Sequence, residues 1–160
     1  MSAAVKQGGR SKASLRTWIR MISCTILVES RLRTKLRDEF DVTLPQFDIL
    51  AELDRAEAPQ TMSELSRQLL VSNANVTGVV DRLERAGFVK RTASSTDRRV
   101  HYIALTPTGK SAFAKMARRH EEWVQEMLGE LTEDELGSLG ELLSKAKRSA
   151  AAGPLGEIQE

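Results

Sequence analysis

From Ser72 to Arg82 the chain reads Ser-Asn-Ala-Asn-Val-Thr-Gly-Val-Val-Asp-Arg. Val76, Val79, Val80 and, one residue on, Leu83 recur at helical spacing and form an inward stripe. That turns Asn73, Ala74, Asn75, Thr77, Gly78 and Arg82 outward. A solvated helix face usually carries Lys and Glu, whereas this one carries short, neutral hydrogen bonders. An asparagine amide pairs with N6 and N7 of adenine, Thr and Ala touch a thymine methyl, and glycine permits close approach. Ser72 stands at the N-cap, where its hydroxyl and the first-turn N–H groups can meet a phosphate. A second group follows in the loop Ser94-Ser95-Thr96-Asp97-Arg98-Arg99. Neighbouring side chains on extended backbone point to opposite sides. One of Arg98 and Arg99 can therefore fold back onto Asp97 and stiffen the loop, while the other projects into a narrow, electronegative minor groove. The sequence leaves open which does which. The expected DNA-contacting set is Ser72, Asn73, Asn75, Thr77, Gly78, Arg82, Arg98 and Arg99, with Asp97 as the wing stabiliser.

The elements that position these residues are legible in the pattern. Leu15, Trp18, Ile19, Ile22 and Ile26 open a long helix over 15–40, preceded by a Gly/Ser/Lys-rich stretch, 1–14, that reads as a disordered tail. Thr43-Leu44-Pro45-Gln46 is a capping box for a helix to about Arg55, and Thr61-Met62-Ser63-Glu64 is a second for a helix to Leu69. Val71-Ser72 is a tight turn into the helix 73–86, which Gly87 and Phe88 stop in Schellman fashion. The period then switches, and 88–93 and 100–105 form a two-stranded hairpin around the basic loop. Thr106-Pro107 restarts a helix to about Glu130, and Thr132-Glu133-Asp134-Glu135 opens a last helix carrying Leu136, Leu139, Leu142 and Leu143. Residues 151–160 are tail. The fold class is mainly α with a small β-wing: a helix-turn-helix followed directly by its wing.

Other chemistries find no support. The 160 residues hold one cysteine and two histidines, too few for a zinc cluster or an internal disulfide. His101 on a wing strand and His120 on a distant helix suggest no nucleophile–base set, and there is no glycine-rich phosphate loop. No catalytic residue, metal or cofactor is expected. The longest apolar run, Ile26-Leu27-Val28, cannot span a bilayer, and Met1–Ser14 lacks a signal-peptide core, so a cytoplasmic protein without a membrane partner is expected. The net charge of +2 conceals its distribution: +6 over 1–40, −4 over 41–59, +3 over 60–105 and −3 over 106–160. A helical interaction adaptor without DNA binding is the alternative of another class, but it leaves the wing and the two asparagines unexplained.

The runs Leu65-Ser66-Arg67-Gln68-Leu69, Asn75 to Arg91, Asp97-Arg98-Arg99 and Leu105-Thr106-Pro107-Thr108-Gly109 resemble the MarR family of bacterial transcription regulators over about Leu15 to Ala150. The resemblance implies a homodimer that binds a pseudo-palindromic double-stranded DNA operator, with 15–40 and 106–150 as dimerisation helices and 41–105 as the winged lobe. It also implies repression relieved by a small ligand. The opening of the first helix and Thr43 to Asp48 are similar to a subgroup linked to aromatic-acid catabolism, which implies an aromatic acid or its coenzyme A thioester as effector. Arg16 and Arg20, one helical turn apart beside Trp18, suit such an anion, and Ile22, Phe47, Phe113, Met116 and His120 could complete a slot. Cys24 reads as a buried structural thiol. The alternative for Cys24 is the peroxide sensing of some relatives.

Overall fold

A computed structural model describes residues 2–152 except Glu57, Thr96 and Arg98, and of residues 2–10 the backbone alone. The elements in order are α1 (Ser2–Phe40), α2 (Leu44–Arg55), β1 (Gln60–Thr61), α3 (Met62–Leu69), α4 (Asn73–Arg85), β2 (Val89–Ala93), β3 (His101–Leu105), α5 (Pro107–Met127) and α6 (Glu133–Ala151). Among the described residues no helix is long and apolar enough to cross a membrane. The chain forms two compact units, Met1–Trp123 and Val124–Glu160, with α5 running through the boundary.

In the first unit the core gathers one face of each short helix: Leu50 from α2, Leu65 from α3, Val76, Val80 and Leu83 from α4, and Ile103 from β3, all nearly inaccessible. Local sequence fixes where these helices start. The Thr43 backbone N–H donates to Gln46 Oε1 at 2.9 Å, and the Thr61 N–H donates to Glu64 Oε2 at 2.7 Å, so both capping boxes close. The bonds from the Thr61 backbone and hydroxyl hold the pKa of Glu64 below its ordinary range. The α3–α4 turn places Leu70 in the left-handed region at φ 54°, and the Ser66 hydroxyl donates to the Val71 carbonyl across it. Gly87, at φ 75°, ends α4 as expected.

Two expectations change here, and a third lies mostly beyond the described residues. The sheet has three strands in the order β1-β3-β2, all antiparallel, because Gln60 and Thr61 pair with Ile103 and Tyr102. A two-residue strand has no alternation to read, so it passed for a break in the sequence. The first helix begins at Ser2 rather than Leu15. Ala3, Ala4, Lys6 and Gln7 favour helix, and Gly8-Gly9 weakens it by only about 1 kcal/mol per residue. The expected 151–160 tail falls largely on residues 153–160, outside the described residues.

The long helix α1 is two-faced along its length. Leu32 and Leu36 are buried near its end, where Arg119 of α5 donates to Glu39 at 2.7 Å and Phe40 meets Trp123 at 6.2 Å between ring centres. Between residues 15 and 27 its apolar side chains are bare: Leu15, Trp18, Ile19, Ile26 and Leu27 are each more than half exposed. In the second unit, the Thr132 N–H donates to Glu135 Oε2 at 2.9 Å and starts α6, which buries none of its residues. Leu136, Leu139, Leu142 and Leu143 lie exposed along it.

Candidate nucleic-acid interface

The start of α4 is organised by its own side chains. Ser72 Oγ accepts from the Asn75 N–H at 3.4 Å, as an N-cap does. Thr77 donates its hydroxyl to the Asn73 carbonyl at 2.9 Å, which leaves the oxygen and the methyl facing out. Arg82 Nε donates to the Gly78 carbonyl at 3.0 Å, so the guanidinium lies along the helix surface. Ser72, Asn73, Asn75, Thr77 and Arg82 are exposed, and Gly78 is partly covered. A Cβ at Gly78 would meet nothing nearer than Arg82 Nη2 at 3.9 Å. Nothing among the described residues requires a glycine there. Val79 is partly exposed rather than buried, because the groove described below opens beside it.

Of the two wing arginines, Arg99 is the one the structure describes, and it contacts Asp97. Asp97 Oδ1 accepts from the Arg99 backbone N–H at 2.9 Å and lies 3.4 Å from Arg99 Nε. The Val100 N–H donates to the Asp97 carbonyl at 3.0 Å, and the Ser94 N–H donates to Val100 at 2.9 Å, closing the loop. Arg99 is thus the clasp on Asp97, although its side chain remains 93% exposed. Arg98 lies outside the described residues.

Two positioning features escaped the sequence reading. Arg91 of β2 pairs with Asp81 and lies 3.2 Å from Glu84, so one guanidinium fastens α4 to the sheet. The two carboxylates three residues apart were its only sequence signal. The Thr106 hydroxyl donates to the Gly87 carbonyl at 2.6 Å and accepts from the Gly109 N–H at 2.9 Å. A Cβ at Gly109 would fall 1.9 Å from the Phe88 carbonyl oxygen, so only glycine lets α5 begin there. This accounts physically for the Thr-Pro-Thr-Gly motif.

The expected ligand set does not assemble within the chain. Arg16, Trp18, Arg20 and Ile22 are exposed on the bare stretch of α1. Phe47, Phe113 and Met116 are core residues: the two phenyl rings lie 5.5 Å apart. His120, half-buried rather than on the surface, stacks on Phe47 at 4.6 Å, and burial lowers its pKa, favouring the neutral ring. Core packing consumes one half of the set, and among the described residues nothing covers the other. Cys24 is exposed, not buried, for the same reason.

Comparison with known proteins agrees with this geometry. The MarR family model matches residues 42–101. The transcriptional regulator PecS of Dickeya dadantii is 30% identical over 129 residues, covering 79% of this chain and 78% of PecS. The apo structure of wild-type MarR from E. coli aligns with a TM-score of 0.68 at 30% identity, over 79% of this chain and 94% of that one. Sco3205 of Streptomyces coelicolor, a MarR family regulator solved in complex with DNA, aligns with a TM-score of 0.78 over 90% of this chain and 91% of that one. At 22% identity that likeness carries the fold alone.

Proposed function

The chain belongs to the MarR family of transcriptional regulators, and from that premise we propose that it represses transcription as a homodimer on a pseudo-palindromic operator and is released by an anionic aromatic effector. The observation that carries DNA recognition is the exposed start of α4, with Asn73, Asn75 and Thr77 presented and the wing clasped beside it. In this reading the asparagines read base edges, Ser72 and Arg82 hold the backbone, and Arg98 enters the minor groove while Arg99 holds Asp97. The DNA complex of Sco3205 supports the same use of the fold.

The homodimer rests on the apolar residues left bare on α1 and α6. Covering them with a second copy is the commonest solution for such faces. It would set the two recognition helices roughly 34 Å apart, in successive major grooves. Arg16 and Arg20 beside Trp18 would then hold the carboxylate of an aromatic acid, or of its coenzyme A thioester, in a slot the second copy completes. Mobility shift on the DNA upstream of the protein's own gene tests the core of this. A sharp loss of affinity as salt rises is expected, and salt-insensitive or absent binding refutes it. Titration calorimetry with benzoate- and cinnamate-type acids and their thioesters tests the effector: no heat and no release of DNA removes that part.

The exposure of Cys24 favours one second reading, thiol-based peroxide sensing. An unchanged peroxide response in a Cys24→Ser reporter strain disposes of it.

A further inference from the structure

A groove of about 420 Å³ runs between the first turn of α2, the α3–α4 turn and the flank of α4. Its walls are apolar: Pro45, Ile49, Leu69, Val76 and Val79 among others. One acidic side chain lines it, that of Asp48. Asp48 is partly buried and makes no hydrogen bond or ion pair with any described residue. Its charged neighbours are Glu29 of α1 and Glu52 of α2, both acidic, while Arg82 of α4 also lines the groove but makes no ion pair with Asp48 and turns its Nε to the Gly78 carbonyl. A half-buried carboxylate without a counter-ion is unfavourable, and its proton affinity shows the strain: burial, then Glu29 and Glu52, raise its pKa to about 6. The surroundings that penalise this anion would repel a second one and would welcome a cation.

We propose that this groove binds a hydrophobic cation, an amine carried on a compact apolar body, with Asp48 as its counter-ion. The apolar walls take the body and the carboxylate accepts from the ammonium group. This site differs from the α1 slot in place and in sign. Asn75, Gly78 and Arg82 line the groove and also belong to the DNA-facing set. Resting on the DNA-binding reading for this one step, an occupied groove competes with the operator.

The test uses a matched pair of rigid probes, 1-adamantylamine and 1-adamantanecarboxylate, titrated calorimetrically into the full chain at pH 7.5 without DNA. The amine binds once per chain and at least about tenfold more tightly than the carboxylate, as a charge-assisted hydrogen bond implies. Asp48→Asn abolishes that preference. Ala74→Leu, which narrows the rim and keeps the carboxylate, weakens the amine as well. Binding of neither probe, equal binding of both, or an Asp48→Asn variant that keeps its preference overturns the proposal. With operator DNA present, the amine raises the apparent Kd for DNA in the wild type and not in Asp48→Asn. The arms without DNA stand even where operator binding fails, so the two readings fail separately.

Discussion

The stretch of α1 from Leu15 to Leu27 and the first turns of α4 are both exposed, yet they are exposed in opposite ways. On α1 the open face is Leu15, Trp18, Ile19, Ile26 and Leu27, bulky and apolar. On α4 it is Asn73, Asn75 and Thr77, small and polar, with the Thr77 and Arg82 side chains bonded back to their own helix. Neither face has the Lys and Glu of a surface meant only for water. The chemistry of an open face therefore indicates the class of partner: apolar helix against apolar helix on α1, hydrogen-bonding base edges on α4.

That contrast can be broken from either side. The largest effect is expected from Ile19→Asp with Ile26→Asp. Light scattering should show the mass of one chain, and operator affinity should fall about a hundredfold or more, since each lobe then binds alone. Retained dimer mass would show that the α1 face has another purpose. Next is Gly109→Ala, which drives a methyl into the Phe88 carbonyl and should cost about 3 kcal/mol, read as a large drop in Tm, with the mass in solution unchanged. Asn75→Ala should change base preference at one operator position by about 1–3 kcal/mol with no effect on dimer mass. Arg98→Ala should weaken binding to all sequences with a narrow minor groove at the flank, and Arg99→Ala should do so by loosening Asp97.

The smallest effect is a pH dependence. Asp48 binds its proton more tightly in the folded chain, where its pKa is about 6, than in the unfolded one. Its contribution to stability is therefore favourable below the unfolded value and is lost as pH rises through about 6. Asp48→Asn should stabilise the protein by about 1 kcal/mol at pH 7.5, after discounting for the carboxyl's partial solvent access, and by nothing at pH 3. His120 acts in the opposite sense: its lowered pKa means that acidification charges a ring stacked on Phe47 and reduces stability.

What the sequence revealed was what neighbours a few residues apart decide. Thr43 with Gln46, Thr61 with Glu64 and Thr132 with Glu135 each close a loop of three residues, and Gly87 stops a helix by its own φ. The face of α4 was legible because its valines fix the inward side. The missed features depend on segments distant in sequence. β1 exists only because β3 pairs with it, and Arg91 matters only because β2 lies against Asp81 and Glu84. The stacking of His120 on Phe47 is likewise unreadable, since nothing near His120 in sequence announces the Phe47 ring. The expected ligand slot is obscured for a different reason: Phe47 on α2 and Phe113 and Met116 on α5 lie on the buried faces of their helices, and periodicity does not separate lining from filling.

The contact at Gly109 has a mechanical meaning. The first turn of α5 is seated on the Phe88 carbonyl and tied by Thr106 to the residues that lead into the wing, and the helix then continues unbroken to Met127. A rod clamped so tightly at one end cannot pivot there. The opening turn of α5 and the strands of the wing are thereby made one piece, with no slack at the joint for one to move without the other.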